Sequence, residues 1–335
     1  MNKNQTYITL DTIRLVTNSK YLLSLDDSLF KHTFDPSTGE VLAVEFKSKM
    51  HQDLAPFGLY ILVNYRAEKL TLEFSSKLLF EDYAQLISID TLPNCLNNIE
   101  KLGICTLDID MILRDSYINK IHVTKDVDLQ LTPKILDRLN RCTGEFRRYS
   151  WKTYDSCISF KKDVKAPDCK EELTIYDKEL EIGLPKNKAF LDKTGCPEII
   201  LKHFEGKTRF EVKYENKQRI KKTFGITDTS IQEVLTTDRN IVLNQFNRIF
   251  NNKEPPVDTT VIANITDYGL LNTIRHHNGD LKKIEQEIKD IGIYGSASRG
   301  ARNRQMVRIK KLAEAYSNQD DGNSILEEIR NKLKD

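Results

Sequence analysis

The chain has 335 residues, 39% of them hydrophobic, with nine prolines and 14 glycines. That is ample apolar material for a core and too few breakers for a disordered or collagen-like chain. Fifty-one basic residues against 49 acidic leave a formal charge of +2, so bulk charge selects no partner. No stretch approaches the roughly 18 uninterrupted apolar residues of a membrane span, and no apolar run follows Met1–Gln5, so neither a membrane association nor a secretory signal is expected. The six cysteines form no C-x-x-C pair and none has zinc-finger spacing to a histidine, which points to reduced thiols and a cytoplasmic setting.

In chain order, alternating apolar residues predict strands over 7–15, 41–46, 59–65 and 70–74, with a turn cluster at Phe34–Gly39. Helices are predicted over 92–102 and, behind a Thr132 N-cap and Pro133, over 132–141. Further strands are predicted over 104–113, 156–162, 173–178 and 208–214. Helices follow over 230–236 and 239–251, and the proline-bearing break 253–258 divides an expected domain over 1–252 from a helical one over 259–335. In the latter, Leu281, Ile284, Ile288 and Ile291 form one apolar stripe, and a basic helix is predicted over 298–316. The expected class is α+β, with a mainly antiparallel central sheet and a C-terminal helical region.

Positive charge is concentrated in two places. Lys207, Arg209, Lys213, Lys217, Arg219, Lys221 and Lys222 crowd one run, and Arg299, Arg302, Arg304, Arg308, Lys310 and Lys311 another. Each run is either a solvated face or a binding surface for a polyanion. The second basic helix also fits the reading position of a helix-turn-helix on duplex DNA, against the alternative of a helix packed through Met306, Ile309 and Leu312.

Side chains two apart on a strand share a face. Asp108 and Asp110 would then point together, as would Tyr176 and Lys178, and Arg209, Glu211 and Lys213. If the three strands adjoin, one sheet face carries carboxylates, a tyrosine, a lysine and an arginine. Carboxylates suit Mg²⁺ or Mn²⁺, and such a cation acts on a phosphoryl oxygen. A tyrosine is a covalent nucleophile once deprotonated, and arginine suits a phosphate. A solvated sheet face gives the same alternation with no chemistry at all. The set as a whole points to strand cleavage through a phosphotyrosine.

Thr208-Arg209-Phe210-Glu211-Val212-Lys213 through Lys222-Thr223-Phe224-Gly225-Ile226 resembles the R-F-E…K-x-F-G-L segment of the gene II replication initiators of filamentous phages. Tyr176-Asp177-Lys178-Glu179-Leu180-Glu181 resembles their aromatic-x-K-x-x-E motif, Ile109-Asp110 their I-D element, and Ser156–Phe160 and Phe74–Leu79 two further segments. Order and spacing agree over about residues 70–226. There is no His-hydrophobic-His motif; His276 and His277 are adjacent and lie in the helical part. The resemblance implies an HUH/initiator-like catalytic sheet without that motif, in a rolling-circle replication initiator of a phage or plasmid. Such a protein nicks and rejoins one DNA strand in the bacterial cytoplasm through a 5′-phosphotyrosine. Tyr176 would be the nucleophile and Lys178 its electrostatic helper. Asp110 and Glu211 would be the leading metal ligands, with Glu181 and Asp108 behind them. Arg209, Lys213, Arg219, Lys221, Lys222, Arg299, Arg302 and Arg304 would contact single-stranded and duplex origin DNA, with host helicase and polymerase as further partners. A conjugative or mobilisation relaxase, a non-catalytic DNA-binding protein, and a nuclease that cuts through water are the alternatives.

Overall fold

Strict alternation of buried and half-exposed side chains in segments such as Leu59–Asn64 and Lys69–Ser75 gives each strand one wet and one dry face. The computed structural model describes residues 8–141, 149–162, 171–250, 264–277, 280–290, 299–317 and 321–334. Its strands are β1 (Leu10–Asn18), β2 (Leu22–Leu25), β3 (Lys31–Phe34), β4 (Val41–Lys47), β5 (Leu59–Asn64) and β6 (Lys69–Ser75). They continue with β7 (Cys105–Leu107), β8 (Tyr117–Asp128), β9 (Tyr149–Tyr154), β10 (Cys157–Lys162), β11 (Glu171–Asp177) and β12 (Lys207–Tyr214). Ten of them form one antiparallel sheet in the order β3-β4-β5-β6-β1-β8-β12-β11-β10-β9, while β2 and β7 pair separately. The N-terminal strand thus lies near the middle, between a meander on one side and the β8-β12-β11 group on the other.

The helices up to residue 250 are α1 (Leu92–Lys101), α2 (Ile109–Asp115), α3 (Pro133–Arg141), α4 (Lys178–Ile182), α5 (Lys188–Thr194), α6 (Pro197–His203), α7 (Lys217–Phe224), α8 (Ile231–Leu235) and α9 (Ile241–Ile249). The dry face carries Ile13, Phe74, Ile121, Phe210, Val212, Tyr214, Ile175 and Ile158, all buried. α9 packs there through Phe246 against Phe210 (6.0 Å between ring centroids), and α7 through Phe224 against Tyr214 (6.3 Å). Glu171, fully buried on that face, pairs with Arg219 of α7 and Arg248 of α9. A buried carboxylate needs such partners, and here they pin both helices to the sheet. Gly225 ends α7 at φ +68°, the left-handed cap that glycine adopts without a Cβ penalty.

Two segments depart from expectation. The strand expected over 104–113 is only Cys105–Leu107, in the small sheet with β2. Asp108 stops it: its carboxylate accepts the N–H of Met111 at 3.2 Å and caps α2. The backbone gains a capped helix turn there in place of a ladder. The strand beside β12 is instead β8, whose alternation is interrupted. Between β1 and β8 the register slips at Arg14/Leu15, where Arg14 faces Lys120 but Leu15 faces Ile118. Asn119 is the extra residue, so Ile118 and Ile121 are both buried although three positions apart.

By internal contacts the chain divides into two units, Met1–Leu136 with Glu145–Ile249 and Lys332–Asp335, and Asp137–Gly144 with Phe250–Asn331. In the second unit lie α10 (Ile265–His276), α11 (Leu281–Asp290), α12 (Arg299–Ser317) and most of α13 (Asp321–Lys334). Leu271, Ile274, Ile284, Ile288, Ile309, Leu312 and Ala313 form one core, and buried Asp267 accepts a two-pronged bond from Arg308. The break expected over 253–258 lies outside the described residues. Among the described residues no helix is long and apolar enough to cross a membrane.

Candidate active site

Register assembles the site on the wet face of β1, β8, β12 and β11. Tyr176 lies opposite Arg209, and Arg209 opposite Asp126. Two residues on, Thr174, Glu211 and Thr124 form the next row, followed by Glu172, Lys213, His122 and Thr12. Leu10 faces Val123 whereas Thr12 faces His122, so Asp11 is an extra residue in β1. Such a bulge re-aims a side chain. Asp11 reaches the wet face, where its Oδ1 accepts from Arg209 Nη1 (2.7 Å) and Ser76 Oγ (3.2 Å).

The Tyr176 hydroxyl donates to Glu211 Oε2 at 3.1 Å. The other oxygen of Glu211 lies 3.0 Å from His122 Nδ1 and 3.5 Å from Lys213 Nζ. Asp11, His122 and Glu211 each place one ligand-type atom within 4.8 Å of the others. Burial pushes the Glu211 carboxyl up, but the hydrogen bond and charge of His122, with Lys213 and Arg209, outweigh it and hold the group at about 2. Tyr176 moves the other way: burial, then the negative charge of Glu211, raise its phenol well above 10. The hydrogen-bonded proton therefore stays on the tyrosine in the structure as it stands.

Three of the expected residues play a different part. Arg209 has no exposed surface; it forks to Asp126 (2.7 and 2.8 Å) as well as bonding Asp11, between the rings of Tyr83 and Phe204. It is committed to carboxylates and cannot hold a DNA phosphate. Lys178 is likewise buried, donating to Tyr83 Oη (2.7 Å) and Glu181 Oε2 (2.6 Å). Its ammonium lies 6.0 Å from the Tyr176 ring centre. Glu181 is the partner of Lys178 and of the Asn187 side chain rather than a member of the Asp11–His122–Glu211 cluster.

Asp108 and Asp110 are not on this face. Asp108 caps α2, and Asp110 is exposed in its first turn, where the helix dipole favours an acid. The basic run 207–222 is split by the sheet. Lys213 stays on the wet face, whereas α7 sits on the dry side with Arg219 bound to Glu171, Lys221 half-buried and Lys222 exposed. In α12, Arg304 is exposed, and the side chains of Arg299 and Arg302 lie outside the described residues.

Asp11 and His122 are the functional candidates that sequence reasoning missed. His122 sits in the Ile121-His122-Val123 alternation, a usable signal once Tyr117–Asp128 is known to be a strand. Asp11 gives none, because a bulge has no signature in a single sequence. No family model, curated protein or solved structure matches this chain.

Proposed function

We propose that the chain is a metal-dependent DNA nickase that initiates rolling-circle replication on an HUH-like sheet without the paired-histidine motif. The observation that carries this reading is the Tyr176–Glu211 hydrogen bond beside His122 and Asp11: a nucleophile in contact with a mixed carboxylate–imidazole cluster. The resemblance of the segments around Tyr176 and Glu211 to the gene II initiators supports it.

The donor set fits a divalent cation. Two carboxylates and one imidazole suit Mn²⁺ or Mg²⁺, and the buried His122 Nε2 has no hydrogen-bond partner among the described residues. A cation held by Asp11, His122 and Glu211 would supply positive charge that favours the phenolate and Lewis acidity at a phosphoryl oxygen. The chain's own groups do the rest. Glu211 orients the Tyr176 hydroxyl and accepts its proton as the phenolic oxygen attacks phosphorus. The bond from phosphorus to the 3′ oxygen breaks, that oxygen leaves as a 3′-hydroxyl on taking up the proton that Glu211 accepted, and the 5′ end remains on Tyr176 as a phosphodiester. Attack by a 3′-hydroxyl on that link reverses the step, returns the proton to Tyr176 and joins the strand. Arg209, itself forked to Asp126, holds Asp11, and Lys213 adds a cation beside Glu211. Exposed Arg304, Lys310 and Lys311 on α12 are the proposed contacts to duplex origin DNA, where polyanion affinity comes from such side chains.

The test uses a random-sequence pool of single-stranded DNA labelled at its 3′ end, incubated with Mn²⁺ and run on a denaturing gel. The wild type is expected to carry label at the protein's position, and Tyr176→Phe none. Label retained by Tyr176→Phe, or cleavage by the wild type without any adduct, would remove the assignment.

A further inference from the structure

A cleft of about 330 Å³ opens in front of Tyr176, bounded on one side by Ser156 and Cys157 and on the other by the first turns after β11. Its wall carries two leucines that the fold leaves wet: Leu180 is 58% exposed and Leu184 44%. Asp177 caps α4 by accepting the N–H of Leu180 at 2.9 Å, which fixes the turn bearing Leu180. Tyr154, 57% exposed, is the register partner of Cys157, which is in turn the partner of Tyr176. Its ring therefore emerges on the same face, about 10 Å from Tyr176 across two strand spacings. Lys213 and Lys186 line the same cleft, the latter 65% exposed, each paired with a carboxylate of the wall, Glu211 and Glu181, with Asp177 beside them.

Two exposed leucines on the wall and two lysines at the rim, beside the attacking oxygen, have one occupant that uses both. We propose that this cleft takes one unstacked base of single-stranded DNA, from the nucleotide adjoining the phosphate that Tyr176 attacks. This rests on the nickase reading. A flat base face is matched by Leu180 and Leu184, while phosphates on either side meet Lys186 and Lys213. The volume holds one base with its sugar, and a paired base cannot turn its faces into it without leaving the stack. The subsite makes the enzyme select single-stranded substrate at the point of cutting.

The test measures binding without cutting. Tyr176→Phe protein in chelator is titrated, by fluorescence anisotropy, against a labelled thymidine oligonucleotide and against an abasic strand with the same phosphates. The Leu180→Ser/Leu184→Ser change, at two exposed positions, is then added. Thymidine-strand affinity is expected to fall roughly tenfold with abasic-strand affinity unchanged. Equal loss on both strands, or no loss on either, would overturn the subsite. The nickase reading is judged separately, by the covalent adduct. Base-dependent binding without an adduct would sink that reading alone, and an adduct with base-independent binding would sink the subsite alone.

Discussion

Glu211 has three polar neighbours at once, the Tyr176 hydroxyl, His122 and Lys213, and is the residue through which the others communicate. The charged residues under it serve structure. In the Lys178–Glu181 pair, burial raises Glu181 but the lysine's charge and hydrogen bond win, leaving the carboxyl at about 2. Its folded value lies below the ordinary 4.5, so the stabilisation is present above that pH and is lost as pH falls toward 2. Burial of Lys178 lowers that group's own pKa and offsets part of the gain. Glu181→Gln is expected to cost roughly 1–2 kcal/mol at neutral pH, shrinking toward zero as pH falls to about 2. Urea melts across that range check it; a difference that does not change with pH contradicts the ion-pair account. Tyr176→Phe, which loses one hydrogen bond, should cost only about 1 kcal/mol by the same assay.

At the scale of elements, α2 and the β1 bulge separate two accounts of where the acids sit. Asp108→Ala removes a helix cap and is expected to cost about 1 kcal/mol of stability while leaving Mn²⁺ binding unchanged. Asp11→Asn should lower Mn²⁺ affinity at least tenfold in calorimetry, and because it takes a charge from buried Arg209 it should also cost more on melting than Asp108→Ala. If Asp108→Ala abolished Mn²⁺ binding, the placement of the cation site on the large sheet would be wrong. The same elements explain what was legible in advance. β11 and β12 alternate cleanly, so Tyr176 and Glu211 could be assigned to a common face from sequence. β1 and β8 each carry a bulge, which breaks the parity on which that inference depends, and Asp11 and His122 went unseen. In 104–113, alternation held for three residues before a capping aspartate redirected the chain. Arg209 was read on the correct face, but its burial depends on Tyr83 and Phe204, far away in sequence.

For the whole molecule, the two units are expected to divide the work. Charge reversal at Arg304, Lys310 and Lys311 of α12 should weaken duplex-DNA binding at least tenfold at fixed salt and flatten its salt dependence. The adduct with single-stranded DNA should form as in the wild type. Loss of the single-strand adduct in that variant would contradict the division. The sequence places a boundary at the proline-bearing break 253–258, which lies outside the described residues, and the grouping of Lys332–Asp335 with the first unit had no sequence signal.

The measurement that bears most directly on the whole account is Mn²⁺ binding by the full chain, followed by electron paramagnetic resonance in the wild type, His122→Ala and Asp110→Asn. One bound ion with nitrogen coupling is expected in the wild type and Asp110→Asn, and neither the ion nor the coupling in His122→Ala. Binding that survives His122→Ala intact, or that disappears in Asp110→Asn, would contradict a metal centre built by Asp11, His122 and Glu211 beside Tyr176.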